Sequence, residues 1–188
     1  CSYIEYRLSW IYYRQGDMGK AINTIKKGLF DSHGNLKYQA KQDYLMFISQ
    51  SSTDGEKELI EIEEFSKKHN QPGMVKTLME SFFGVGNRSA GLTFLTYLNN
   101  KSPNLTYQIR LMEENYGFRR WEDYDQTLVS AHTNVANKLT EIETKKIRKI
   151  LRRLVVQLDS ERKTDLTRSA ALRSTVDLYL TLFENDGQ

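Results

Sequence analysis

The residues best suited to acid–base or metal chemistry in this 188-residue chain are three histidines, His33, His69 and His132. None has a second histidine one helical turn away, the spacing that lets a single helix face hold zinc. A single cysteine, Cys1, excludes both an internal disulfide and a zinc site built from several thiolates. No nucleophile elbow of the GxSxG kind and no phosphate-binding GxxxxGK[ST] loop is present. Gly84-Val85-Gly86 is a lone GxG between two helical patterns, where a turn accounts for it. Glu61, Glu63 and Glu64 cluster, but they are interleaved with apolar Ile62 and Phe65, as on the solvated face of a helix. Asn87-Arg88-Ser89 and Asn104-Leu105-Thr106 match the glycosylation pattern, a short match that recurs by chance. The expectation is a protein that is not an enzyme and needs no metal and no cofactor.

The remaining chemistry is ionic. In the run KKIRKILRR, the cations Lys145, Lys146, Arg148, Lys149, Arg152 and Arg153 flank an apolar stripe. Such a face can contact phosphates or an anionic lipid surface. The chain as a whole carries only +3, and residues 138–168 alone hold ten lysines or arginines against five acidic residues. Any polyanion argument therefore rests on that one segment. Glu141 and Glu143 stand one turn before Lys145 and Lys146, placed to pair with them. No aromatic residue interleaves the charges, whereas single-strand binders use aromatic stacking platforms. The segment reads as the wet side of a core helix. Nucleic acid is not the expected partner, and a nucleic-acid or anionic-membrane adaptor using residues 145–153 is the alternative function.

The elements that must position these residues are helical throughout. A content of 39% hydrophobic and 27% charged residues excludes wholesale disorder. No apolar run reaches the roughly 18 residues that a membrane span requires. A membrane contact is thus expected only indirectly, or through an anchor outside this chain. Cys1 could be the lipid-carrying residue of a bacterial lipoprotein or mark a cut in a longer chain. The second reading is favoured because helical patterning begins at once in SYIEYRLSWIYY, leaving no tether. Pro72 and Pro103 are the two prolines, and ten of eleven glycines fall at or before Gly117, so short turns give way to longer helices.

The chain repeats. In residues 6–29, Leu8, Ile11 and Tyr12 mark an inward face, Gly16-Asp17 breaks the helix, and Ala21, Ile22, Ile25 and Leu29 follow on a second helix. In residues 74–103, Leu78 and Phe82 match Leu8 and Tyr12, Gly86-Asn87 matches Gly16-Asp17, and Gly91 and Leu95 match Ala21 and Ile25. Between them, residues 38–69 hold Tyr44, Leu45 and Ile48, a turn at Thr53-Asp54-Gly55, then Leu59, Ile62 and Phe65. A fourth pair runs from Tyr107 to Tyr116, breaks at Gly117, and continues from Trp121 to His132. After it, Ile147, Ile150, Leu151, Leu154, Val155 and Leu158 form one helical stripe, and Leu166, Ala170, Val176, Tyr179, Leu180 and Phe183 another.

This arrangement resembles the tetratricopeptide repeat, with its period of about 34 residues. Leu8, Tyr12, Gly16, Asp17 and Ala21 match its pattern in the first repeat, and Leu78, Phe82, Gly86 and Pro103 in the third. The chain departs from it at Glu5 (usually tryptophan) and at Ser9 and Met79 (usually glycine). The LRRLV and DLYLTLF blocks also resemble helical-repeat proteins of bacterial outer membranes and gliding machinery. The resemblance implies an all-α fold: an α-solenoid of helix-turn-helix repeats over residues 1–133, continued by a C-terminal helical pair over 134–188. It implies a protein–protein interaction scaffold in a cell-envelope or motility assembly, periplasmic or outer-membrane-associated, with a cytoplasmic setting if only the repeat resemblance holds. By position in the family, Tyr3, Tyr6, Trp10, Tyr13 and Arg14 would line a concave groove for a helix or extended peptide of another protein, with Lys76, Glu80 and Phe83 equivalent in the third repeat. Tyrosine, tryptophan and arginine are the types enriched at binding hot spots. Either these rings bind a partner, or a preceding repeat covers them.

Overall fold

A computed structural model describes residues 2–53, 55–136 and 138–184. The protein is all-α: ten helices are described, and among the described residues the only extended pairing is an isolated bridge between Phe30 and Leu36. Cys1, and Asp54 of the expected Thr53-Asp54-Gly55 turn, lie outside the described residues. The chain divides into two compact units, Cys1–Phe94 and Leu95–Gln188.

The first unit holds α1 (Ser2–Arg14), α2 (Met18–Lys27), α3 (Tyr38–Ser51), α4 (Gly55–Lys68), α5 (Met74–Gly84) and the first half of α6 (Arg88–Lys101). Two residues past the end of α1 the chain turns at Gly16, whose φ of 79° is the left-handed conformation that glycine adopts without a Cβ penalty. That turn lets Asp17 N reach back to Tyr12 O at 3.0 Å, closing the helix end. Asp17 then caps α2, its carboxylate accepting from Lys20 N at 3.0 Å. Gly86 repeats the device after α5 with φ 81°. Within the unit, α1 packs on α2, α2 on α3, and α5 on both α3 and α4. Tyr44, Leu45 and Ile48 of α3, Leu59, Ile62 and Phe65 of α4, and Leu78 and Phe82 of α5 are all buried, as their spacing predicts.

Helix α1 differs from expectation. Leu8 and Tyr12 are only half-buried, Ile11 is 51% exposed, and the fully buried residue is Ser9. Gly28 explains this. A Cβ there would lie 2.9 Å from Ser2 O and 3.1 Å from Tyr6 N, so the end of α2 meets the backbone of α1. That contact turns the small Ser9 inward. Ile11, about 200° further round the helix, must face away.

The second unit holds the rest of α6, then α7 (Leu105–Gly117), α8 (Trp121–Thr133), α9 (Glu141–Arg162) and α10 (Arg168–Phe183). Helix α7 packs on α8 and α9, and α10 on α9 and α8. The expected break at Gly117 falls two residues later. Gly117 is the last helical residue, and Arg119 takes the left-handed conformation with φ 58°. Helix α9 opens with a capping box: Thr140 Oγ1 accepts from Glu143 N, and Glu143 Oε2 from Thr140 N. Its stripe Ile147, Ile150, Leu151, Leu154 and Leu158 is buried as expected, with Val155 half-buried.

On α10 the inward face is shifted from the expected one. Leu166 precedes the helix and is 82% exposed, Ala170 and Leu180 are also exposed, and Val176, Tyr179 and Phe183 are half-buried. Ala171, Thr175 and Leu178 are buried instead. The polar Thr175 can sit inside because its hydroxyl bonds Tyr124 Oη at 2.8 Å and Ala171 O at 2.7 Å.

Candidate protein-binding surface

With Ser9 turned toward α2, the next stripe of α1, at spacings of four and three residues, is Tyr6, Trp10 and Tyr13. All three are half-buried against α3. Asp43, only 6% exposed, is the anchor. Its Oδ2 accepts from Tyr6 Oη at 2.6 Å and Trp10 Nε1 at 3.2 Å, and its Oδ1 from Gln39 Nε2 at 3.0 Å. Three donors satisfy a carboxylate that would otherwise be costly to bury. Burial, and then the bond to Asp43, hold the Tyr6 hydroxyl pKa above its ordinary value. Tyr13 stacks on Phe47 with centroids 4.8 Å apart, and Trp10 meets Phe47 edge-on at 5.2 Å. The rings are therefore held in place by α3.

The outer stripe of the same helix is open. Tyr3 is 63% exposed and Arg14 is exposed, with Ile11 between them. Arg7 lies over the Tyr3 ring, 5.8 Å from its centroid. Tyr6, Arg7, Trp10, Ile11 and Arg14 together line a pocket of about 380 Å³. It combines two guanidinium groups, two fixed aromatic edges and one aliphatic side chain. Lys76, Glu80 and Phe83 of α5 are not part of its lining. Lys76 and Glu80 are exposed and Phe83 is half-buried, its ring within 3.1 Å of where a Cβ on Gly91 would stand.

The basic segment of α9 is largely engaged within its own unit. Lys145 pairs with Glu141, and Arg153 with Glu113. Arg148 sits over the Phe183 ring, 4.7 Å from its centroid. Arg152 donates from Nε to Tyr179 Oη at 2.8 Å and lies over that ring. Lys146 and Lys149 are exposed. The aromatics that the segment itself lacks thus come from α10, stacked under its arginines. Both glycosylation matches sit where the fold uses the asparagine: Asn87 Nδ2 donates to Ser49 O and Ser52 O, and Asn104 caps α7.

Arg7, Asp43 and Phe47 were not marked by the sequence pattern as part of this surface. Arg7 stands four residues before Ile11 and seven before Arg14, a spacing that could have revealed it. Asp43 could not be found so, because nothing local shows that an acid in α3 faces α1. Among the described residues, no three histidine, cysteine or carboxylate side chains gather to hold a metal, and no helix is long and apolar enough to cross a membrane.

Fold and site together define an all-α protein with a rigid aromatic and arginine-lined face on its first helix. No family model matches the chain, and neither does any curated protein sequence.

Proposed function

We propose that this protein is a non-catalytic interaction scaffold, built of tetratricopeptide-like helical pairs stacked as a solenoid, that docks a segment of another protein on α1. The observation that carries the reading is the buried Asp43, which fixes the Tyr6 and Trp10 rings beside an open pocket. Rings held in place before binding lose little conformational freedom on contact, which is how preorganised sites gain affinity. Arg7 and Arg14 flank Ile11 on the exposed stripe, so the fitting partner is a helix or extended peptide bearing carboxylates beside apolar side chains. The stacking of α2 on α3, α3 on α5 and α4 on α5 is the support for a solenoid in the first unit, and that of α7 on α9 in the second. A place in a cell-envelope or motility assembly rests on the resemblance of α9 and α10 alone.

Selection from a displayed library of random peptides tests this. The expected winners are rich in aspartate or glutamate with apolar residues at helical or alternating spacing. They should bind the purified chain about tenfold more tightly than a variant carrying Arg7→Ser, Ile11→Ser and Arg14→Ser, a difference of about 1.4 kcal/mol. These side chains are exposed, so the variant should keep its melting temperature. Selection of no peptide, or equal binding to the variant, overturns the reading.

A further inference from the structure

In the second unit, three helices turn polar stripes toward one cavity of about 420 Å³. Asn99 and Asn100 come from α6, Asn115 from α7, and Gln126, Thr127 and Ser130 from α8. Asn99 and Asn100 stand three and four residues after Thr96, Asn115 four after Leu111, and Ser130 four and three after Gln126 and Thr127, the periodicity that packed helices ordinarily fill with apolar side chains. The polar character extends behind the lining. Gln108, fully buried and three residues before Leu111 on the same stripe, donates from Nε2 to Ser130 Oγ at 2.8 Å. Its Oε1 is buried with no hydrogen-bond partner, and so is Asn99 Oδ1 in the cavity lining. Asn115 is 4% exposed. A buried amide oxygen without a partner is destabilising, so two of them, one in the cavity lining and one behind it, call for an explanation beyond stability.

We infer that this cavity is a binding site for a neutral, hydroxyl-rich ligand, a saccharide unit of one or two rings. Amide and hydroxyl side chains both donate and accept, and so does each sugar hydroxyl. The lining carries one cation and one anion, Arg120 and Asp123, so no net charge selects for phosphate or carboxylate. A guanidinium and a carboxylate each present paired polar atoms that match neighbouring hydroxyl groups on a ring. Leu111 supplies the one aliphatic surface, and no aromatic or acyl-sized apolar pocket is present for a peptide side chain or a lipid.

The test is titration of the isotope-labelled full chain with glucose, galactose, mannose, N-acetylglucosamine, maltose, cellobiose and chitobiose, followed by side-chain amide resonances. Glycylglycine and inorganic phosphate serve as the competing classes. At least one saccharide should move the Asn99, Asn115 and Gln126 amide signals saturably. Asn115→Leu should weaken that binding tenfold or more while leaving the melting temperature unchanged or raised, since it removes a polar group held for a ligand. Gln126→Ala, at an exposed position, should weaken binding with the fold intact, and decides the matter if Asn115→Leu does not fold. No response to any saccharide, a response to glycylglycine or phosphate alone, or saccharide binding unaffected by both variants overturns the inference.

Discussion

Tyr6 Oη lies 2.6 Å from Asp43 Oδ2, so the first helix is tied to the third through a carboxylate that is almost wholly buried. The same oxygen accepts from Trp10 Nε1. Removing the acceptor strands two donors in a half-buried place. Asp43→Ala should therefore cost about 2–3 kcal/mol, and Asp43→Asn, which keeps one amide oxygen, about 1 kcal/mol. Urea unfolding followed by circular dichroism measures both. Equal, negligible losses would show that the carboxylate is not the anchor.

Glycine-to-alanine changes should have opposite signs at two helical positions. At Gly55 a Cβ would stand 2.5 Å from Ala90 O and 2.7 Å from Phe94 N, and neither backbone atom can move aside cheaply. Gly55→Ala should destabilise by about 3 kcal/mol, at the upper end of overpacking costs. At Gly84 nothing lies within 4 Å of the added carbon. Gly84→Ala should stabilise by about 0.5 kcal/mol through the restricted unfolded chain. Paired thermal melts of the two variants test the contrast.

The α9 cations should not make a specific nucleic-acid site. Arg148 and Arg152 lie over rings of α10, and Arg153 is paired with Glu113. Labelled single- and double-stranded oligonucleotides at physiological salt should bind no more tightly than the roughly 10⁻⁴–10⁻⁶ M of non-specific contacts. Submicromolar binding that is lost when Arg148, Lys149, Arg152 and Arg153 become serine would reverse this and favour the adaptor reading.

Tyr44 gives a pH signature at the alkaline end. Burial, with the nearby Glu61 charge adding to it, pushes its pKa from 10.0 up to about 12. The fold thus favours the neutral phenol. The stability it contributes is complete below the ordinary value of 10.0 and is lost as pH rises through about 12. Phenolate absorbance during an alkaline titration should show a late phase, to which Tyr116, also raised to about 12, and the buried Tyr124 contribute, and that phase should lose the amplitude of one tyrosine in Tyr44→Phe. A Tyr44→Phe curve identical to that of the unaltered chain would contradict this burial.

The all-α class and most of the core were legible from spacing alone. Apolar residues three and four apart in α3, α4, α5 and α9 face inward because one side of a helix repeats every 3.6 residues whatever it packs against. Gly16 and Gly86 were legible too, since each must take a left-handed turn that few other residues adopt.

What periodicity cannot decide is which of several suitable faces the neighbours cover. Ile11 looks like core and is exposed because Gly28 brings α2 against the Ser9 side of α1. Thr175 looks like surface and is buried because Tyr124, fifty-one residues earlier, offers its hydroxyl a partner. The aromatics beside the α9 arginines, and the acid beneath Trp10, likewise belong to other helices. A helix carries its own hydrogen bonds and its own periodicity, so its sequence determines that it forms and which stripes are apolar. Burial and pairing of polar groups are properties of two surfaces at once, and only the tertiary structure brings the second surface into place.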